Sequence, residues 1–172
     1  MIPAERNDAL SGLEASATEL DHAVCNLHSA QWTFKPTIDR WSIAECVDHL
    51  AVVEERVLKA LKRFDRPAEP VTMSDAQLLE RLGDRSSPIS APERVHPTVR
   101  SDDGAATLAA FHRARQETIA FVSATGANLR SQAMPHPAFG LLDGHQWVIT
   151  LAAHVRRHLK QIDEIKRSDC FP

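Results

Sequence analysis

Residues 143–167 read DGHQWVITLAAHVRRHLKQIDEIKR, and this stretch decides the fold. Asp143 followed three residues on by Gln146 is a helix-start signal, a capping side chain ahead of one that reaches back to it. Trp147, Leu151, Val155, Ile162 and Ile165 then recur in steps of helical length, one apolar stripe on a helix that runs to about Arg167. His154 and His158 lie four apart within it, so their rings stack on one face about a turn apart.

The same pattern recurs toward the N-terminus. Ser42-Ile43-Ala44-Glu45 fits a capping box and opens a helix whose stripe is Ile43, Val47, Leu50, Val57, Leu61 and Phe64, ended by Pro67 and Pro70. A first helix spans about Ala4 to Ser29, with Leu10, Leu13, Ala17, Leu20, Val24 and Leu27 in alternating steps of three and four. A third spans about Asp103 to Ala124, with Leu108, Phe111, Ile119 and Val122 inward and Gly126 after its end.

Pro67, Pro70, Pro88, Pro92 and Pro97 crowd the stretch before residue 102, and proline breaks helix interiors, so Arg66 to Asp102 reads as a long crossover. A short helix from Ser74 to Leu82 interrupts it, started by Ser74 with Gln77 and stopped by Gly83. No segment reads as a strand. Four amphipathic helices with one long crossover between the second and third make an all-α four-helix bundle. At 172 residues this is one domain, residues 1–172.

Composition narrows the function. Hydrophobic residues are 43% and charged residues 25%, an ordinary globular balance. A formal charge of -3 leaves no basic surplus to neutralise phosphates, which argues against nucleic-acid binding. The charged N-terminus resembles no signal peptide and no apolar run approaches the ~18 residues of a membrane span, so a cytoplasmic location is expected. Cys25, Cys46 and Cys170 have no C-x-x-C spacing, and reduced thiols are the default.

Nine histidines stand against no tyrosine. His49 lies two turns into the second helix at the edge of its apolar arc, and His154 and His158 share a face of the fourth. Neutral imidazole suits zinc, nickel, copper or iron, and three protein nitrogens leave positions for water or substrate. His154 is followed by Val155, which excludes the His-Glu-x-x-His of zinc proteases, and Glu45 and Asp48 do not complete a di-iron pattern with His49.

Three segments resemble the DinB/YfiT-like family. Arg40-Trp41-Ser42-Ile43-Ala44-Glu45-Cys46-Val47-Asp48-His49-Leu50 is similar to its "RWS-x-x-E-x-x-x-HL" segment. Pro135-His136-Pro137-Ala138-Phe139-Gly140 with Gln146-Trp147 resembles "HP-x-x-G…QW", and His154-Val155-Arg156-Arg157-His158-Leu159-Lys160-Gln161-Ile162 resembles "H-x-x-RH-x-x-QI". The resemblance implies a bundle in up-down-down-up order. It also implies a divalent metal, zinc or nickel ahead of iron or manganese, on His49, His154 and His158. Such proteins are described as metal-dependent hydrolases, with some thiol S-transferases that use low-molecular-weight thiols. A small-molecule substrate and a homodimer are further expectations of the resemblance.

Other residues carry two readings each. Cys46, three residues before His49, is a thiolate metal ligand or a small core residue. His136 is a turn residue or a proton donor at the pocket rim, and Gln161 a partner of a ligand imidazole or a solvated side chain. Glu54 and Arg115 occupy seam positions, and charged residues are almost never fully buried unless paired. Glu54 lies about 140° around its helix from His49, which favours an ion pair with Arg115 over service as a general base. His22, His28, His96, His112 and His145 show no ligand spacing and read as surface or loop residues. An enzyme, a non-catalytic metal- or partner-binding bundle, and a bundle with purely structural histidines are the three classes left open.

Overall fold

The computed structural model describes residues 1–63, 70–86, 91–98 and 103–172. Helix α1 covers Pro3–Val24, α2 Ser29–Thr33, α3 Ile43–Leu61, α4 Asp75–Gly83, α5 Gly104–Ala124 and α6 Gly144–Lys166. A hairpin of β1 (Ala133–His136) and β2 (Gly140–Asp143) leads into α6. Phe64, Pro67 and Pro88, assigned by sequence to the second stripe and the crossover, lie outside the described residues, as do the crossover's expected ends, Arg66 and Asp102.

The helix starts follow local chemistry. Glu45 N–H donates to Ser42 Oγ at 3.2 Å and Ser42 N–H to Glu45 Oε2 at 2.8 Å, a reciprocal box that satisfies two orphan donors. Gln146 N–H donates to Asp143 Oδ1 at 2.7 Å, and Asp143 N–H to Gln146 Oε1 at 3.2 Å. Ser74 with Gln77 starts α4, and Asp103 caps α5. Breaking one such cap costs about 1 kcal/mol.

Cross-helix contacts fix the order of the bundle. α1 and α6 run the same way: Gly12 faces Ala152, Glu19 pairs with Arg156, and Lys166 donates to the Ala23 carbonyl. α5 runs against α1, since His112 meets Asp21 while Arg6 reaches the Val122 carbonyl. α3 runs with α5, because Cys46 and Val47 share an apolar cluster with Phe111, and Val57 and Leu61 share the next with Val122. The order is up-down-down-up.

Arg115 and Glu54 meet in the middle of this core, both almost fully buried. Arg115 Nε donates to Glu54 Oε1 at 2.9 Å and Nη2 to Oε2 at 3.0 Å, a two-pronged contact. Its Nη1 donates to the Leu13 carbonyl at 2.6 Å and to Ser16 Oγ at 2.8 Å. Three helices are thus pinned through one guanidinium.

Three expectations need correction. The first helix does not reach Ser29: Asn26 takes φ 60, a left-handed conformation that asparagine tolerates, and helix resumes as α2. The segment before α6 holds two strands where none was expected. They pair antiparallel, Ala133 opposite Asp143 and His136 opposite Gly140. Four-residue strands, one interrupted by Pro135, are too short to show alternation in sequence. Gly140 has φ 74, and a Cβ there would fall 2.5 Å from Thr72 Oγ1, so the turn requires glycine. Finally, His145 is buried in the first turn of α6, its Nε2 3.5 Å from Asp75 Oδ2, because α4 and the N-terminus close over it.

Candidate metal centre

His49 projects from α3, and His154 and His158 from α6. Their Nε2 atoms converge: His49 to His154 at 3.3 Å and His158 to His154 at 3.1 Å. They are the group of histidine, cysteine or carboxylate side chains among the described residues close enough to share an ion. His49 and His158 are buried and His154 is half-buried. They line a cavity of about 850 Å³ together with residues of the hairpin and of the crossover around Val95.

His49 Nδ1 lies 2.6 Å from the Val95 carbonyl oxygen. A carbonyl only accepts, so Nδ1 carries the proton and the neutral ring presents a lone pair on Nε2. Such an outer hydrogen bond fixes the tautomer that binds metals. Trp41 stacks almost parallel to His158, centroids 6.1 Å apart, and lies 4.8 Å from the His49 ring.

All three rings are held neutral. Burial lowers the His49 pKa; burial, then the neighbouring His158 and His49 rings, lower His154 well below the usual value. Burial, with His49 and two arginines, brings His158 down to about 3, the Gln161 side chain opposing.

This donor set fits a divalent ion. Tetrahedral metal–nitrogen bonds of about 2.0–2.1 Å place neighbouring ligand nitrogens about 3.3 Å apart. The 3.1 and 3.3 Å separations from His154 match that spacing, and the three ligand nitrogens all lie within 4.8 Å of one another.

The other candidates separate. Gln161 and His136 line the cavity, and Glu54 does not, its carboxylate being held by Arg115. Cys46 packs in the apolar core, where burial pushes its thiol up and away from the thiolate a metal needs. His136 ends β1, stacked on Phe139 and against Trp147. Its Nδ1 accepts from Ala138 N–H at 3.1 Å, so the neutral ring is a donor through Nε2. Burial, aided by Arg94, lowers its pKa to about 4.

Sequence reasoning missed the cavity arginines Arg56 and Arg94, whereas Thr150 lines the cavity one turn before His154, on the metal-facing edge where its spacing puts it. No local signal marks those two arginines.

The DinB superfamily profile matches residues 13–162. The chain belongs to the DinB superfamily. It is 30% identical over 132 residues to the uncharacterised protein YuaE of Bacillus subtilis (strain 168), covering 77% of this chain and 81% of that one. Among solved structures it is similar to TT2238, a four-helix bundle protein, with TM-score 0.62 and 24% identity over 92% of this chain and 98% of that one. It is also similar to YfiT from Bacillus subtilis, described as a "probable metal-dependent hydrolase with an unusual four-helix bundle topology". There the TM-score is 0.64 with 16% identity, over 97% of this chain and 89% of that one. These likenesses establish the shared bundle.

Proposed function

We propose that this DinB-superfamily protein is a metal-dependent enzyme acting on a small molecule, with a divalent ion, zinc or nickel, held by His49, His154 and His158. The observation that carries the reading is the convergence of three neutral Nε2 atoms at 3.1 and 3.3 Å in a cavity large enough for a substrate. When bound, such an ion supplies a Lewis acid that acidifies water for hydrolysis or a thiol for transfer.

The chain's own residues do the rest. His49, oriented by Val95, and the α6 pair present lone pairs in one place. His136, neutral at physiological pH, offers an Nε2–H donor in the cavity wall. Trp41, Phe139 and Trp147 give the cavity wall its apolar surface.

Metal analysis of the purified protein tests the centre. About one equivalent is expected in the wild type and a strong loss in His154→Ala and His158→Ala, with helix content preserved because alanine favours helix. Stoichiometric metal in both variants would refute the assignment. Turnover of an ester or amide panel without added thiol supports hydrolysis; a metal-dependent conjugation rate that requires a cellular thiol supports S-transfer. Metal without either activity points to the non-catalytic bundle.

A further inference from the structure

The cavity is unevenly charged. Arg40, Arg56, Arg85, Arg94 and Arg157 line it against two acids, Asp39 and Glu164, in a chain whose net charge is -3. Glu164 is already engaged, by Arg40 at 3.1 Å and Arg85 at 2.9 Å. Arg157 turns to the Leu82 and Asp84 carbonyls. Arg56 and Arg94 have no hydrogen bond or ion pair with any described residue.

Both unpaired guanidinium groups are tied to the metal centre. Arg56 is seven residues after His49 on α3, so His49, Val53, Arg56 and Ala60 form one stripe along the cavity. The Arg56 backbone lies roughly 10 Å along the helix from His49. Arg94 adjoins Val95, whose carbonyl orients His49. An independent feature points the same way. Thr150 is 5% exposed, lines the cavity, and its Oγ1 has no hydrogen-bond partner among the described residues. A buried hydroxyl left unpaired costs free energy that a polar ligand would offset.

We infer that the cavity binds a small organic anion, a carboxylate or phosphate with an apolar body. Its charged end sits between Arg56 and Arg94, its body lies along Val53, Phe139 and Trp147, and a polar group reaches Thr150 beside His154. This rests on the proposed metal enzyme and names its substrate class. Guanidinium suits the role because its fixed fork of donors matches both oxyanions.

Quenching of Trp41 and Trp147, with metal removed by chelator so that no anion can bind it, tests this in the full-length chain. Phenylacetate, phenyl phosphate and neutral phenylacetamide are the probes. At least one anion should bind about tenfold or more tighter than the amide, a difference of ~1.4 kcal/mol. The better of the two identifies the oxyanion. Arg56→Gln/Arg94→Gln should abolish the preference with an unchanged melting temperature and unchanged zinc stoichiometry. Equal binding of anions and amide, no saturable anion binding, a preference that survives in the double variant, or one that appears only with metal restored would each overturn the inference. Failure of the wild type to take up zinc overturns the metal enzyme instead, and leaves the chelated measurement readable.

Discussion

The His49 Nδ1 atom and the Val95 carbonyl oxygen, 46 residues apart in sequence, stand 2.6 Å from one another. This bond joins the crossover to α3 and leaves His49 Nε2 bare, facing His154. Next to it, Asp48 Oδ2 accepts from Thr98 N–H at 2.6 Å, so adjacent residues of α3 hold both ends of the segment 95–98. The arrangement of the crossover and the tautomer of a metal-facing histidine are therefore one structural fact.

His49→Ala should separate a three-histidine site from a local chelate on α6. In the wild type, metal at a hundredfold excess over its dissociation constant stabilises the fold by roughly 2.7 kcal/mol. The variant should show weaker zinc affinity and a smaller zinc-induced rise in melting temperature. An undiminished rise would remove His49 from the site.

In chelator, stability should fall as pH drops from about 6.5. His158 titrates at about 3 in the fold, below its unfolded value, so across that interval the unfolded chain takes up a proton that the folded chain does not. Its contribution is fully present above pH 6.5 and is lost on acidification by up to about 1.4 kcal/mol per pH unit. Urea midpoints between pH 7 and 4 should fall steeply in the wild type and less steeply in His158→Gln. The same slope in both proteins would contradict the buried neutral ring.

Removing one member of the Glu54–Arg115 pair strands a buried charge. Glu54→Gln and Arg115→Met should each cost about 3–5 kcal/mol, and the double variant clearly less than their sum. Chemical denaturation of the four proteins gives the coupling directly. Additive losses would mean the two side chains do not interact in solution.

Gly140→Ala places a side chain at φ 74 and against Thr72, whose Oγ1 accepts from Leu141 N–H at 2.7 Å. The left-handed conformation alone costs about 1–2 kcal/mol. Thermal unfolding should register at least that loss. Zinc stoichiometry should be unchanged, because all three histidines lie outside the hairpin; a loss of zinc would show that the hairpin holds the α6 ligands in place.

The sequence by itself determined the helices, their starts and the His154–His158 pair. Each depends on groups within one or two turns: Ser42 with Glu45, Asp143 with Gln146, an apolar stripe at helical spacing. The seam positions of Glu54 and Arg115 also foretold their pairing, since a charge in a seam needs a partner. Only the tertiary structure decided the rest. His49 meets His154 across 105 residues, and the choice of Nε2 was made by a carbonyl from the crossover. The hairpin escaped notice because the hydrogen bonds that make strands of residues 133–136 and 140–143 come from each other, with Thr72 bracing the turn. His145 is buried by Met1 and α4, which no helical wheel of α6 contains. Arg56 and Arg94 became a pair facing one cavity when the crossover folded over α3, a juxtaposition made by packing between distant segments and therefore invisible to any local pattern.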